Sequence, residues 1–213
     1  IYPFEKEYFK SSSLKVDYVG NPIKEIVLNY TYDENWAKLF GIKDTSHLVA
    51  LFPGSRKGEI QLNLPLQLKA AALYKKDHPK ATFILSCAHD KIIPVMHNYL
   101  RDDTLTLNKD LFLLPKSYSY ELMKQCKLAI AKSGTVTLEL ALHKCPTVVI
   151  YKLTFFNRFV AKYLLRLKLP FYCIVNLLSQ KMVFPELIKK AVSPKKIYAY
   201  LKTFTSNTDE RKQ

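Results

Sequence analysis

Five short apolar runs recur along the chain: His47–Phe52, Ala81–Cys87, Leu111–Leu114, Leu128–Ala131 and Pro146–Tyr151. None alternates apolar with polar residues as a half-exposed strand would, so they read as strands buried on both faces. Between them lie stretches with apolar residues at helical spacing. These are Ile60–Lys76, residues 91–101 with Pro94 near the start, Tyr118–Cys126, and a segment opened by Ser133-Gly134-Thr135 that runs to His143. Strands alternating with helices predict an α/β fold built on a doubly wound parallel sheet. Ahead of this region the pattern weakens. Ser11-Ser12-Ser13 breaks the chain, Val16–Val19 reads as a strand, and Gly20-Asn21-Pro22 marks a turn and a domain edge. Residues 26–41 predict linker and a short helix closed by Gly41. The expected organisation is an interdomain segment over residues 1–25 and one domain over residues 26–213.

Charge changes this picture more than composition does. Thirty-three Lys and Arg face 18 Asp and Glu, a formal net charge of +15. That excess implies an acidic partner: nucleic acid, an anionic membrane surface or a phosphorylated substrate. Basic residues are not interleaved with an aromatic platform, which argues against nucleic acid. Cys87, Cys126, Cys145 and Cys173 form no CxxC pair and read as buried, reduced thiols. His143-Lys144-Cys145 is the one close His/Cys grouping, too few ligands for a metal site, and the sequence calls for no metal and no cofactor. No apolar run reaches the roughly 18–20 residues of a membrane span. The chain begins without Met and in mid-pattern, as a piece of a longer protein would.

The most amphipathic stretch is residues 155–168. At about 100° per residue, Phe156, Phe159, Val160, Tyr163, Leu164 and Leu167 share one face, with Arg158, Lys162 and Arg166 opposite. Two readings are open: an interfacial helix on an anionic bilayer or acyl chain, and a core helix with a solvated basic back. Lys189, Lys190, Lys195 and Lys196 add basic surface near the carboxyl end.

The candidate chemistry sits in two loops. Pro53-Gly54-Ser55-Arg56-Lys57-Gly58-Glu59 joins the first strand to its helix, and Ser133-Gly134-Thr135 joins the fourth strand to its own. Three of the five glycines fall there. A glycine loop entering a helix offers outward N–H groups and a dipole suited to an anion, although each loop alone also reads as a plain strand-to-helix turn. Ser133 is placed to cap its helix and Thr135 to donate. Glu139, four residues past Thr135, sits one turn in, where a carboxylate could accept from a ribose. Ligands of parallel sheets bind at the carboxyl ends of the strands, which puts both loops on one rim. Neither GxxxxGK[ST] nor GxGxxG is present, so a Walker-type ATPase and a nicotinamide dehydrogenase lose ground.

Pro53-Gly54-Ser55-Arg56 through Ile60, Ser133-Gly134-Thr135 with Leu138-Glu139, Pro146–Lys152, Asn176-Leu177-Leu178 and Pro185-Glu186-Leu187 resemble, in wording and order, the lipid A disaccharide synthase family. Ile1–Glu5 and Val19–Pro22 resemble its interdomain segment, so the likeness covers nearly the whole chain. The resemblance implies a GT-B glycosyltransferase with two Rossmann-like domains. Such an enzyme joins UDP-2,3-diacylglucosamine to 2,3-diacylglucosamine 1-phosphate (lipid X) and releases UDP. It implies that this chain is the carboxyl-terminal, UDP-sugar-binding half, lacking or truncating a final helix. The partner is an amino-terminal domain carrying the general base. Residue by residue, the resemblance carries Gly54, Ser55, Arg56, Ser133, Gly134, Thr135 and Glu139 to UDP, with Arg56 and Asn176 as catalytic. It places Lys152 and Glu186 in the cleft. Val175 stands where the family has proline before Asn176. The implied location is cytoplasmic, peripheral on the inner face of the inner membrane. Another UDP-sugar GT-B protein, a peptidoglycan transferase or a UDP-sugar epimerase, is the alternative, and a non-catalytic basic membrane- or nucleic-acid-binding domain is the third reading.

Overall fold

The computed structural model describes residue 9 and residues 15–100, 105–152, 170–188 and 191–206. The amphipathic stretch 155–168, with Phe156, Arg158, Phe159, Lys162 and Arg166, lies outside the described residues, as do Lys189 and Lys190.

All five expected strands form, and a sixth joins them. They are β1 (Leu48–Phe52), β2 (Thr82–Cys87), β3 (Leu111–Pro115), β4 (Leu128–Lys132), β5 (Thr147–Tyr151) and β6 (Glu186–Ile188). The order across the sheet is β3-β2-β1-β4-β5-β6, with every pairing parallel. β6 is three residues long and pairs with β5, too short to leave a periodic signal.

The side chains of β1 show why the runs are continuous. Val49 and Leu51 enter one core with Phe83, Leu85 and Ile130, while Leu48, Ala50 and Phe52 enter the other with Ile84 and Leu114. Both faces of the sheet are covered, so no position along the strand is left for a polar residue. The first core is closed by α3 (Lys57–Asp77), α4 (Ile93–His97) and α8 (Pro194–Ser206). Ile197, Leu201 and Phe204 of α8 recur at helical spacing, and α8 packs along α3. Each such buried side chain contributes about 1.5–3 kcal/mol. The second core is closed by α2 (Trp36–Leu39), α5 (Ser119–Gln125) and α6 (Val136–Leu142). α7 (Ile174–Ser179) precedes β6.

The amino-terminal region departs from expectation. Val16–Val19 is not a strand. Gly20-Asn21-Pro22 does not turn the chain away but starts a helix, α1 (Pro22–Leu28). The Asn21 side chain accepts from the Ile23 N–H at 3.0 Å, and proline occupies the first helical position. Both are helix-start chemistry, which a turn reading of Gly-Asn-Pro passes over. α1 packs on α6. The helix near 91 is shorter than expected, a 3-10 turn at Asp90–Ile92 followed by α4.

Candidate functional site

In an open parallel sheet the crevice forms where the strand order reverses, because the connections on either side turn to opposite faces. Here that point lies between β1 and β4. α3 leaves β1 for one face and α6 leaves β4 for the other. A cavity of about 820 Å³ opens at the carboxyl ends of β1 and β4. Gly54, Ser55 and Arg56 line it from the first loop, and Gly134, Thr135 and Glu139 from the second. Ile23, Ile26 and Tyr30 from the α1 region, with Met123 and Val136, form an apolar wall. Lys116 and Lys132 also line it.

The first loop is organised by Glu59, a residue to which the sequence pattern assigns no role. The Glu59 carboxylate accepts from Ser55 N–H at 3.0 Å and Arg56 N–H at 3.4 Å. It also lies 3.0 Å from the Lys132 ammonium and 3.7 Å from the Arg56 guanidinium. Desolvation pushes the Glu59 carboxyl upward, but the Lys132 contact and the loop N–H groups outweigh it and hold the carboxyl below the usual range. Two N–H groups expected to face a ligand are therefore occupied from within. Gly54, with φ +121°, is needed for the same reason: a Cβ there would lie 2.5 Å from Glu59 Oε2 and 2.8 Å from Glu59 Cβ. Arg56 itself is free to reach outward, its side chain 85% exposed.

Glu59 begins a polar stripe at positions i, i+4 and i+8 on the buried side of α3. Asn63 donates to the carbonyls of Pro53 at 3.3 Å and Glu59 at 2.9 Å. Gln67 donates to those of Phe52 at 3.2 Å and Ile130 at 3.3 Å, tying the end of β1 to the middle of β4. The stripe could have been found as three polar residues interrupting an otherwise apolar helix face. Its meaning could not, since the partners lie on two strands. The His89 ring donates Nε2–H to the Ser55 carbonyl at 2.9 Å and steadies the loop from the β2 side.

In the second loop, Ser133 does not cap α6 as expected. Its hydroxyl donates to the Tyr172 carbonyl at 2.8 Å, the residue is buried, and it does not line the cavity. Thr137 supplies the local bond instead, donating to the Gly134 carbonyl at 2.7 Å. Gly134 and Thr135 remain at the cavity. A Cβ on Gly134 would meet nothing nearer than the Lys132 ammonium at 3.9 Å and the Lys132 carbonyl at 4.0 Å, so the backbone there is open to approach. Glu139 is half-buried and takes a hydrogen bond of 3.0 Å from the Tyr120 hydroxyl. Burial raises its carboxyl above the ordinary value, against the Tyr120 bond and the Lys116 charge. The same burial, with the Glu139 charge, raises the Tyr120 hydroxyl.

Three further residues fall elsewhere. Asn176 is fully buried, and its amide is consumed internally. Nδ2 donates to the Phe184 carbonyl at 2.7 Å and Glu186 Oε1 at 2.6 Å, while Oδ1 accepts from Val183 and Phe184 N–H, both at 2.9 Å. Glu186 accepts from Tyr172 and Cys173 N–H at 2.9 and 3.0 Å. Neither lines the cavity. Both brace the turn whose Tyr172 carbonyl receives Ser133, so they act on the second loop through the backbone and not by direct contact. Lys152 is exposed, beyond the cavity lining. The four cysteines are buried and free. Among the described residues no group of His, Cys, Asp or Glu could hold a metal ion, and no helix is long and apolar enough to cross a membrane.

Strand order and cleft define a Rossmann-like α/β domain, with its candidate site at the switch point between two glycine loops. Among solved structures it is similar to the ADP-heptose lipopolysaccharide heptosyltransferase II of E. coli, with a TM-score of 0.57 at 10% identity. That likeness covers 90% of this chain and 54% of the other, and it speaks to fold alone. Among sequences, the lipid-A-disaccharide synthases of Chlamydia pneumoniae and Chlamydia caviae are 34% and 35% identical over the whole chain. The chain spans about a third of their length, 35% and 34%, and matches their carboxyl-terminal part. The profile of the lipid-A-disaccharide synthetase family matches residues 1–213. The chain belongs to that family.

Proposed function

We propose that this chain is the donor-nucleotide half of a glycosyltransferase that builds the lipid A disaccharide. The observation that carries the reading is the convergence of Arg56, Gly134, Thr135 and Glu139 on one cavity at the switch point. The diphosphate of UDP-2,3-diacylglucosamine lies between the two loops, with its ribose toward Glu139. In an inverting transfer the 6-hydroxyl oxygen of lipid X attacks the anomeric carbon as the bond from that carbon to the pyrophosphate oxygen breaks. The electron pair leaves with UDP, and the hydroxyl proton passes to a base supplied by an amino-terminal domain. This chain's contribution is to hold the departing diphosphate, where fixed cations stabilise the charge that develops. The lipid substrates, the facing domain and a cytoplasmic, membrane-peripheral location belong to the same proposal.

The test is calorimetric binding of UDP to the protein and to Arg56→Ala, with ADP as control. UDP should bind in preference to ADP. Loss of a solvent-facing charged hydrogen bond of about 1.5 kcal/mol should weaken UDP roughly tenfold in the variant. Equal affinity for ADP, or a variant that binds as the parent does, overturns the assignment.

A further inference from the structure

Lys132 is the last residue of β4, and the alternation along that strand says where it points. Ala129 and Ala131 enter the core shared with α5 and α6, while Leu128 and Ile130 enter the one shared with α3. Lys132 continues the second row past the edge of the sheet, toward the start of α3, where another apolar residue would cap the core. Its side chain is only 22% exposed and reaches across the crevice to Glu59 Oε1 at 3.0 Å. The ammonium also passes 5.9 Å from the centre of the Tyr151 ring.

One carboxylate thus gathers a cation from each loop, Arg56 from the first and Lys132 from the second. The group carries two positive charges and one negative at the cavity rim, beside the open backbone of Gly134. An ammonium has three donors, and the Glu59 contact uses one of them. Glu59 is held in place by the Ser55 and Arg56 N–H groups and by its fit beneath Gly54. It is therefore a fixed anchor that delivers the ammonium to the rim. Since Glu59 already takes the Ser55 and Arg56 N–H groups, a diphosphate on the side of the first loop draws its counter-charge from side chains.

We infer that Lys132 is a second diphosphate-binding cation beside Arg56, positioned by Glu59, and that it makes the site selective for a nucleoside diphosphate over a nucleoside. The inference rests on the reading of the cleft as a UDP site. A charge-assisted contact of this kind is worth about tenfold in affinity.

The test compares UDP, UMP and uridine binding to the parent, Lys132→Met and Lys132→Arg, each first checked for a cooperative thermal transition. Lys132→Met should weaken UDP about tenfold and leave uridine within about twofold, and Lys132→Arg should recover most of the loss. A purely structural ion pair would lower the melting temperature and weaken UDP and uridine alike. That result, or unchanged UDP affinity in Lys132→Met, overturns the role of Lys132 even though the parent prefers UDP to ADP. If the parent itself shows no uridine-diphosphate preference, the reading of the cleft fails first. Should Lys132→Met not fold, Lys132→Gln carries the same comparison.

Discussion

Replacing Gly54 with alanine adds one methyl group at a place where the structure makes its cost calculable. The backbone there has φ +121°, a conformation that L residues rarely adopt, and the strain is on the order of 1–3 kcal/mol. The new Cβ would also lie 2.8 Å from Glu59 Cβ, which is fixed to the backbone of α3 and cannot rotate away. Overpacking of this kind costs roughly 1–3 kcal/mol more. Gly54→Ala should therefore destabilise the protein by about 2–6 kcal/mol. For a chain of this length, each kcal/mol lowers the melting temperature by about 2–4 °C, so a mid-range loss means a fall of about 8–16 °C. Gly58→Ala is the matched control. Gly58 lies in the first turn of α3 with no positive φ, and a methyl group added there would meet nothing within 4 Å. Alanine at that position should stabilise by about 0.5–1 kcal/mol. The double variant Gly54→Ala/Glu59→Ala should not recover, because the Cβ contact persists when the carboxylate is gone. Thermal unfolding followed by circular dichroism and urea midpoints would read all three. If Gly54→Ala melts within about 2 °C of the parent, or no lower than Gly58→Ala, the steric argument for this loop is wrong.

Other consequences can be checked in the same assays. Gly134→Ala places its methyl at ordinary van der Waals distance, so stability should stay within about 0.5 kcal/mol while UDP affinity falls roughly tenfold; a stable variant with full affinity would remove the phosphate from that backbone. Gln67→Leu leaves the Phe52 and Ile130 carbonyls without their side-chain donor and should cost about 1–3 kcal/mol, and an unchanged urea midpoint would deny the bridge any weight. Glu139→Gln keeps an acceptor for the Tyr120 hydroxyl and removes a half-buried charge. Because burial raises the Glu139 carboxyl in the fold, its contribution to parent stability is present below the unfolded value near ~4.3 and lost as pH rises through the folded one. Urea unfolding from about pH 4 to 8 should show the variant gaining on the parent toward neutral pH while binding UDP less well, and a gap that stays flat would contradict the assigned shift.

Much of the architecture was legible because the five expected strands are largely buried on both faces, and a strand so placed has few polar positions to blur its run. The loops at Gly54 and Gly134 were legible for a related reason, since a glycine between an apolar run and a helix is a local statement about backbone geometry. Arg56, Thr135 and Glu139 belong to two loops that the rule for parallel sheets and the family resemblance put on one rim, and all three line one cavity. The readings that failed needed a partner remote in sequence. Ser133 has the form of a cap, but Tyr172, 39 residues away, takes its hydroxyl. Asn176 came as a catalytic residue from the family resemblance alone, and its amide bonds go to Phe184, Val183 and Glu186, partners no local pattern names. At Asn21 the error ran the other way: the cap was local, and proline after it has the form of a break.

What the sequence determined by itself was a set of elements and two anion-ready loops, because helix spacing, strand burial and glycine geometry act over a few neighbouring residues. Tertiary structure decided that β1 and β4 are neighbours, so that loops some 80 residues apart share one cavity. It also decided that Lys132 crosses from β4 to meet Glu59. Those outcomes depend on strand order, which long-range pairing sets and local chemistry does not encode.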